Sequence, residues 1–299
     1  MLPTLFVLVG STAVGKTALS LRVAEMLQSP ILSADSRQMF RDLPIGTAAP
    51  TPEDRARVKH YFVGTLGLED YYSAAQYEQD VLALTKHLFE QHDALLLTGG
   101  SMMYVDAVCN GIDDIPTISS DIRHEVAADF EKNGLEPLLA ELQRRDPEYH
   151  AIVDPCNHKR VVHALEVIRQ TGKPLTVFRT GQRKKRPFRV VKIGLQRPRE
   201  ELFARINHRT TLMVEVGFLD EARRVMPFRS CNSLNTVGYK EIFRYFDGEW
   251  ALDMALDRIR KNTRVYAKKQ MTWFAKDQDI RWFHPEEEDA LLRFVQQSL

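Results

Sequence analysis

The chain has 299 residues, of which 44% are hydrophobic and 27% charged, and its net charge is +1. That length accommodates one large core with an insertion, or two domains, and the composition is that of an ordinary soluble enzyme. No apolar run is long enough to span a membrane. Cys109, Cys156 and Cys231 form no C-x-x-C pair and no zinc spacing, so a structural metal is not expected. The N-terminus enters an apolar run directly, without a basic stretch or a small-residue cleavage site, so a cytoplasmic protein is expected.

The first element is a short buried strand, Leu5-Phe6-Val7-Leu8-Val9. Residues 10–17 follow as Gly-Ser-Thr-Ala-Val-Gly-Lys-Thr, a complete G-x-x-x-x-G-K-[ST] phosphate-binding loop. Leu19, Val23, Met26 and Leu27 then recur at helical spacing. Strand, glycine-rich turn and helix N-terminus thus come in the required order. Gly10 and Gly15 let the backbone turn so that N–H groups of the loop, through Ser11, Thr12, Ala13 and Val14, face one anion, and the helix adds its positive dipole end. Lys16 supplies a mobile positive charge, and the Thr17 hydroxyl is a candidate ligand for Mg²⁺. The loop says that the protein holds a polyphosphate, without saying what happens to it.

A second strand, Pro30-Ile31-Leu32-Ser33, ends in the polar cluster Ala34-Asp35-Ser36-Arg37-Gln38. A third, Ala94-Leu95-Leu96-Leu97-Thr98, ends at Gly99-Gly100-Ser101. Strands alternating with helical patterns imply an α/β fold, a parallel sheet with helices on both faces. Ligands on such sheets bind beyond the strand C-termini, so the phosphate loop, Asp35 and Ser101 should converge on one site. From about Asp113 the texture turns helical, with Val161, Leu165 and Ile168 on a single face. Arg189 to Leu195 reads as a strand again. A P-loop core of residues 1–112 and 188–299 is therefore expected, interrupted by a helical insertion at 113–187. The C-terminal third reads as helical, with Leu252, Leu256, Ile259, Tyr266 and Trp273 as the stripe of a long helix.

Charge is unevenly placed. Residues 256–276 carry Arg258, Arg260, Lys261, Arg264, Lys268, Lys269 and Lys276 against the single acid Asp257. Residues 179–189 carry Arg179, Arg183, Lys184, Lys185, Arg186 and Arg189 with no acid. In a chain that also holds a polyphosphate, the two runs favour a polyanionic macromolecular partner. Tyr266, Trp273 and Phe274 interleave with the basic residues and read as core rather than as base-stacking platforms.

Most P-loop proteins hydrolyse or transfer a terminal phosphoryl group, which calls for a second carboxylate at the end of a core strand. Here the third strand ends in Thr-Gly-Gly-Ser, and the second delivers Asp35 instead. That acid suits either Mg²⁺ or proton abstraction from a nucleophile. Spacing alone leaves open an ATP-dependent small-molecule kinase, an RNA-binding protein without catalysis, and a group-transfer enzyme.

An ordered set of segments resembles the bacterial tRNA dimethylallyltransferase (tRNA isopentenyltransferase) family over nearly the whole chain. They are the phosphate loop, Ser-Ala-Asp-Ser-Arg-Gln-Met-Phe (33–40), Ile-Gly-Thr-Ala-Ala-Pro (45–50) and Thr-Gly-Gly-Ser-Met-Met-Tyr (98–104). His-Ala-Leu-Glu-Val (163–167), Thr-Gly-Lys-Pro (171–174), Val-Gly-Tyr-Lys-Glu (237–241) and Asn-Thr-Arg-Val-Tyr-Ala-Lys-Lys-Gln-Met-Thr-Trp-Phe (262–274) complete it. The sequence departs from the family pattern at Ala49, Cys156, His163 and Ala275, and it lacks the Cys/His zinc extension of eukaryotic relatives.

The resemblance implies transfer of a dimethylallyl group from its diphosphate to N6 of the adenosine 3′ of the anticodon. It implies Asp35 as base, with Lys16, Thr17 and Ser101 as further catalytic residues. Residues 10–17 and Arg199 would hold the diphosphate, and Thr17 the Mg²⁺. Asp35, Ser36, Arg37, Gln38, Ser101, Arg123, Lys159, Arg160, His163, Gly238, Tyr239 and Lys240 would meet the tRNA anticodon stem-loop. A monomer is expected.

Overall fold

The structure, a computed structural model, describes residues 2–299. The chain divides into two compact units, Met1–Asn110 with Lys185–Leu299, and Gly111–Lys184. Along the chain, β1 (Thr4–Gly10), α1 (Lys16–Leu27), β2 (Ile31–Ser33), α2 (Pro52–Arg57), β3 (His60–Tyr61), α3 (Ala74–Leu88), β4 (Ala94–Gly99) and α4 (Met102–Asn110) open the first unit. The second unit holds α5 (Ser120–Asn133), α6 (Leu135–Arg145), α7 (Pro147–Ile152), α8 (His158–Thr171) and α9 (Leu175–Phe178). The chain then forms β5 (Arg189–Leu195), α10 (Arg199–Glu215), α11 (Phe218–Val225), α12 (Tyr239–Phe246), α13 (Leu252–Phe274), β6 (Ile280–Phe283) and α14 (Glu288–Gln297).

Among the described residues, six strands make one sheet in the order β3-β2-β4-β1-β5-β6, and each of these pairings is parallel. β1 is central and buried along its whole length. Its side chains alternate: Phe6 and Leu8 join α1, α10 and α14 on one face, while Leu5, Val7 and Val9 join α3, α4 and Phe274 on the other. A strand covered on both faces needs apolar residues at every position, which is why it reads as a continuous run. Register fixes where the strands stop. Ser33 pairs with Thr98 and Val9 with Gly99, so the loops after β1, β2 and β4 leave the sheet at one level.

Two short edge strands, β3 and β6, were not evident in the sequence, and β6 interrupts a C-terminal third expected to be wholly helical. Neither is long enough to show a period. The stripe expected on α13 is also revised. Its buried face is Ala255, Ile259, Ala267, Gln270 and Phe274, whereas Tyr266 and Trp273 are each 38% exposed. Two of the five positions on that face are alanines, too small to mark an apolar stripe in the sequence.

α11, α12 and the first half of α13 close a further core in the first unit with Phe40, Leu43 and Leu68. In the second unit, Val161, Leu165 and Ile168 do share one buried face, packed with Val126, Leu138 and Leu142. Arg169 ties its helices together, contacting Glu125 at 2.8 Å, Asp129 at 2.6 Å and Glu141 at 2.6 Å. Among the described residues, no helix is long and apolar enough to cross a membrane.

Candidate active site at the phosphate loop

The loop between β1 and α1 opens into a cleft of about 360 Å³ in the first unit. Thr12, Ala13, Gly15, Lys16 and Thr17 line it from the loop, Asp35 and Gln38 from the turn after β2, and Thr98 and Gly99 from the end of β4. Gly10, Ser11 and Val14 are buried and shape the loop from behind. Among the described residues, the Ser11 hydroxyl finds no hydrogen-bond partner. Lys16 Nζ donates to Gly10 O at 3.0 Å and Ser11 O at 2.8 Å. Burial lowers its pKa to about 8, against the pull of Asp35 and with the push of Arg209.

Three side chains distant in sequence hold the loop. Gln270 Oε1 accepts from Thr12 N at 2.8 Å, Arg205 Nε donates to Ala13 O at 2.8 Å, and Arg197 Nε donates to Val14 O at 2.9 Å. Arg205 and Arg209 lie one turn apart on α10 and both line the cleft. Burial lowers the pKa of Arg209, and Asp35 opposes that shift. Sequence reasoning missed these residues. The signals were the Arg-x-x-x-Arg spacing on α10 and a glutamine on the apolar face of α13.

Arg199, expected to hold the diphosphate, is placed elsewhere. It is exposed, does not line the cleft, and lies 5.1 Å from the Phe203 ring centroid. It begins α10, whereas the cleft faces that helix at 205 and 209.

Asp35 Oδ1 accepts from Arg37 N at 3.0 Å and Gln38 N at 3.4 Å, a turn that fixes the carboxylate at the mouth of β2. Ser101 lies behind it. Ser101 Oγ accepts from Ser36 N at 2.8 Å and bonds the Ser36 hydroxyl at 3.1 Å, while Ser101 N donates to Ala34 O at 3.0 Å. This packing requires glycine at 99, because a Cβ there would overlap the Ala34 carbonyl. Ser101 is 9% exposed and does not line the cleft; it buttresses the Asp35 turn. Arg37 donates to Asn232 O at 2.8 Å and Ser233 O at 3.2 Å, and burial lowers its pKa. Gln38 Nε2 donates to Ala48 O at 3.1 Å and the residue faces the cleft.

Tyr239 does not offer a side chain to RNA. It is fully buried, and its hydroxyl donates to Glu221 Oε1 at 2.6 Å. The same buried carboxylate accepts from Ile45 N at 2.8 Å and Gly46 N at 2.7 Å. The trio anchors the segment whose next residues, Thr47 and Ala48, wall the cleft. A Cβ on Gly46 would overlap the Tyr239 hydroxyl. Tyr239→Phe leaves a buried carboxylate one donor short and is expected to cost about 1–3 kcal/mol, read from the urea midpoint. Gly238 N donates to Glu241 at the start of α12, and Lys240 is exposed and bonds Asn235 Oδ1 at 2.7 Å.

In the second unit, Lys159, Arg160 and His163 share the exposed side of α8, with His163 Nδ1 3.3 Å from Glu166; Arg123 lies half-buried on α5. The basic run at 179–189 is partly used inside the protein: Arg186 is buried against Glu78 at 2.7 Å and Arg189 bonds Thr4, while Arg179, Arg183 and Lys185 are exposed. Lys261, Lys268 and Lys269 are exposed on α13 together with Tyr266 and Trp273, and Lys276 is exposed in the turn that follows. Of the interleaved aromatics, read as core in the sequence, Tyr266 lines the cleft, Trp273 Nε1 donates to Asp106 Oδ2 at 3.0 Å, and Phe274 alone of the three is core.

The family model described as IPP transferase matches residues 38–277. The chain is 59% identical to "tRNA dimethylallyltransferase 1" of Phocaeicola vulgatus, covering 98% of this chain and 97% of that protein. It is 57% identical to "tRNA dimethylallyltransferase 2" of Parabacteroides distasonis, covering 99% of each. A solved structure of the full-length tRNA isopentenylpyrophosphate transferase from Bacillus halodurans is similar with a TM-score of 0.72 at 33% identity, over 99% of this chain and 96% of that one. A eukaryotic dimethylallyltransferase acting on tRNA shares the fold, with a TM-score of 0.77 at 20% identity, over 94% of this chain and 73% of that one. With four fifths of its length inside the family match and relatives aligned from end to end, the chain belongs to the IPP transferase family.

Proposed function

We propose that this protein transfers a dimethylallyl group from dimethylallyl diphosphate to N6 of the adenosine 3′ of the anticodon of tRNA, releasing diphosphate. One observation carries the reading: a single cleft is lined by the cationic loop residue Lys16, by Arg205 and Arg209, and by the acid Asp35. A cradle for departing negative charge and a candidate base therefore face the same space. A kinase calls for a further carboxylate at the end of a core strand. β4 ends in Thr98-Gly99, and Asp35 is the sole carboxylate among the described residues lining the cleft.

In this mechanism the allylic C–O bond breaks and its electron pair leaves with the diphosphate. Loop N–H groups, Lys16 and Arg209 stabilise that charge. The N6 lone pair forms the new C–N bond, and the N6 proton passes to the Asp35 carboxylate. The oxygen donors in the cleft, Thr17 and Asp35, suit a hard cation, and no cluster of three or more His, Cys, Asp or Glu that could hold a metal occurs among the described residues. Mg²⁺ would therefore be held by Thr17 with substrate oxygens, and it would neutralise diphosphate charge. The adenine must leave its stack to enter the cleft, which costs only a few kcal/mol from a loop. The exposed lysines of α13, with Tyr266 and Trp273, are the proposed RNA face of the first unit. Lys159, Arg160, His163 and Arg123 are proposed contacts of the second.

The test is label transfer from dimethylallyl diphosphate, with Mg²⁺, to an anticodon stem-loop carrying adenosine 3′ of the anticodon. Folded protein that transfers no label would refute the reading. RNA affinity is expected to fall steeply between 50 and 200 mM salt, by about tenfold or more. A flat response in a filter-binding titration would return the lysines of α13 to ordinary solvated surface.

A further inference from the structure

Gln270 is 2% exposed and lies on the buried face of α13, between Ala267 and Phe274. Both ends of its amide are used. Oε1 accepts from Thr12 N at 2.8 Å, and Nε2 donates to Gly100 O at 2.8 Å. Thr12 belongs to the phosphate loop. Gly100 precedes Ser101, whose hydroxyl holds Ser36 N at 2.8 Å beside Asp35. The β1–β4 ladder runs in register only to Val9 and Gly99. Beyond it, the Gln270 amide bonds one group in each of the two loops.

We propose that Gln270 is a positioning residue of the transfer reaction, setting the distance between the diphosphate cradle and the turn that carries Asp35. This rests on the proposed function. Thr12 N is engaged by Gln270, so donor binding falls to the rest of the loop, Lys16 and Arg209. Loss of the bridge should therefore spare donor affinity and spoil alignment of the electrophile with the base.

The isosteric variant Gln270→Glu separates the possibilities. An ionised glutamate still accepts from Thr12 N but has no proton for Gly100 O; a protonated one restores both bonds. The other titratable or charged groups lining this cleft are Lys16 on α1, Asp35 after β2, Arg205 and Arg209 on α10, His60 on β3 and Tyr266 on α13. All are common to both proteins, so the variant-to-wild-type ratio isolates position 270. At pH 8, kcat is expected to fall at least about tenfold with the donor KM within about threefold. The ratio should climb toward one as the pH is lowered to about 6, because a buried carboxyl group takes up its proton early. Gln270→Leu, which loses both bonds, should show the loss without the recovery. The retained donor KM reports that the variants are folded. Wild-type kcat in Gln270→Leu, a flat ratio across pH in Gln270→Glu, or a loss confined to KM overturns the proposal. Wild-type protein inactive in the same assay overturns the proposed function as well.

Discussion

Asp35→Asn is expected to lower kcat by about 10²–10³-fold while the KM for dimethylallyl diphosphate stays within about threefold. The substitution is conservative in shape. Asp35 Oδ1 accepts from Arg37 N and Gln38 N, and an asparagine oxygen can accept the same two bonds, so the turn survives. What is lost is the second, basic oxygen that would receive the N6 proton. An aromatic amine is a poor nucleophile while it keeps both protons, because its lone pair is shared with the ring. Single-turnover label transfer separates the chemical step from binding. Equal losses in kcat and donor affinity would show that Asp35 holds the diphosphate or its cation rather than the proton.

Lys16→Met is expected to cost about 10²–10³-fold in kcat/KM, with donor KM raised, because it removes a buried cation from the place where leaving-group charge develops. The wild-type lysine also makes a pH prediction. Its pKa is lowered to about 8 by burial, so in the free protein the ammonium is lost as pH rises through that value. Donor KM should therefore rise above about pH 8, and this break should be absent from Lys16→Met. Stability moves the other way. The folded pKa lies below the unfolded value of 10.5, so between these values the unfolded chain binds more protons and folding becomes more favourable as pH rises. Below about pH 8 both states carry the proton and the term is constant. Thermal melts of the two proteins from pH 7 to pH 10 should converge on this pattern, with the wild type gaining on the variant across that window.

The phosphate loop, the four main strands and the approach of Asp35 to Lys16 were legible in the sequence, because each depends on local pattern. A buried strand reads as an apolar run, and a parallel sheet sends its loops to one end. The supports were not legible. Arg197, Arg205 and Gln270 reach the loop across 183, 192 and 258 residues of chain, and no local period records such a contact. Arg199 stands in a matching segment, yet it begins α10 and is not among the residues lining the cleft. Tyr239 stood in a matching segment too, and its burial at a carboxylate gives that segment a structural use. The basic run at 179–189 shows the limit of counting charges. Arg186 is 6% exposed on its side chain and spends its guanidinium on Glu78, Ala107 O and Val108 O. Tyr266 and Trp273 err in the opposite direction, because a long helix with alanines at 255 and 267 packs closely there and leaves Tyr266 at the cleft and Trp273 half out of the core.

The lock formed by Gly46, Glu221 and Tyr239 has a consequence for descent and for engineering. A side chain at 46 and the hydroxyl at 239 compete for the same space, although 193 positions separate them in the chain. A side chain placed at 46 needs room made at 239, and a recombination point falling between them separates partners that pack together. Chimeras joining the front half of this chain to the rear half of a distant homologue should fail at this seam unless all three positions come from one parent. Grafts that move them as a set should keep the shape of the cleft wall.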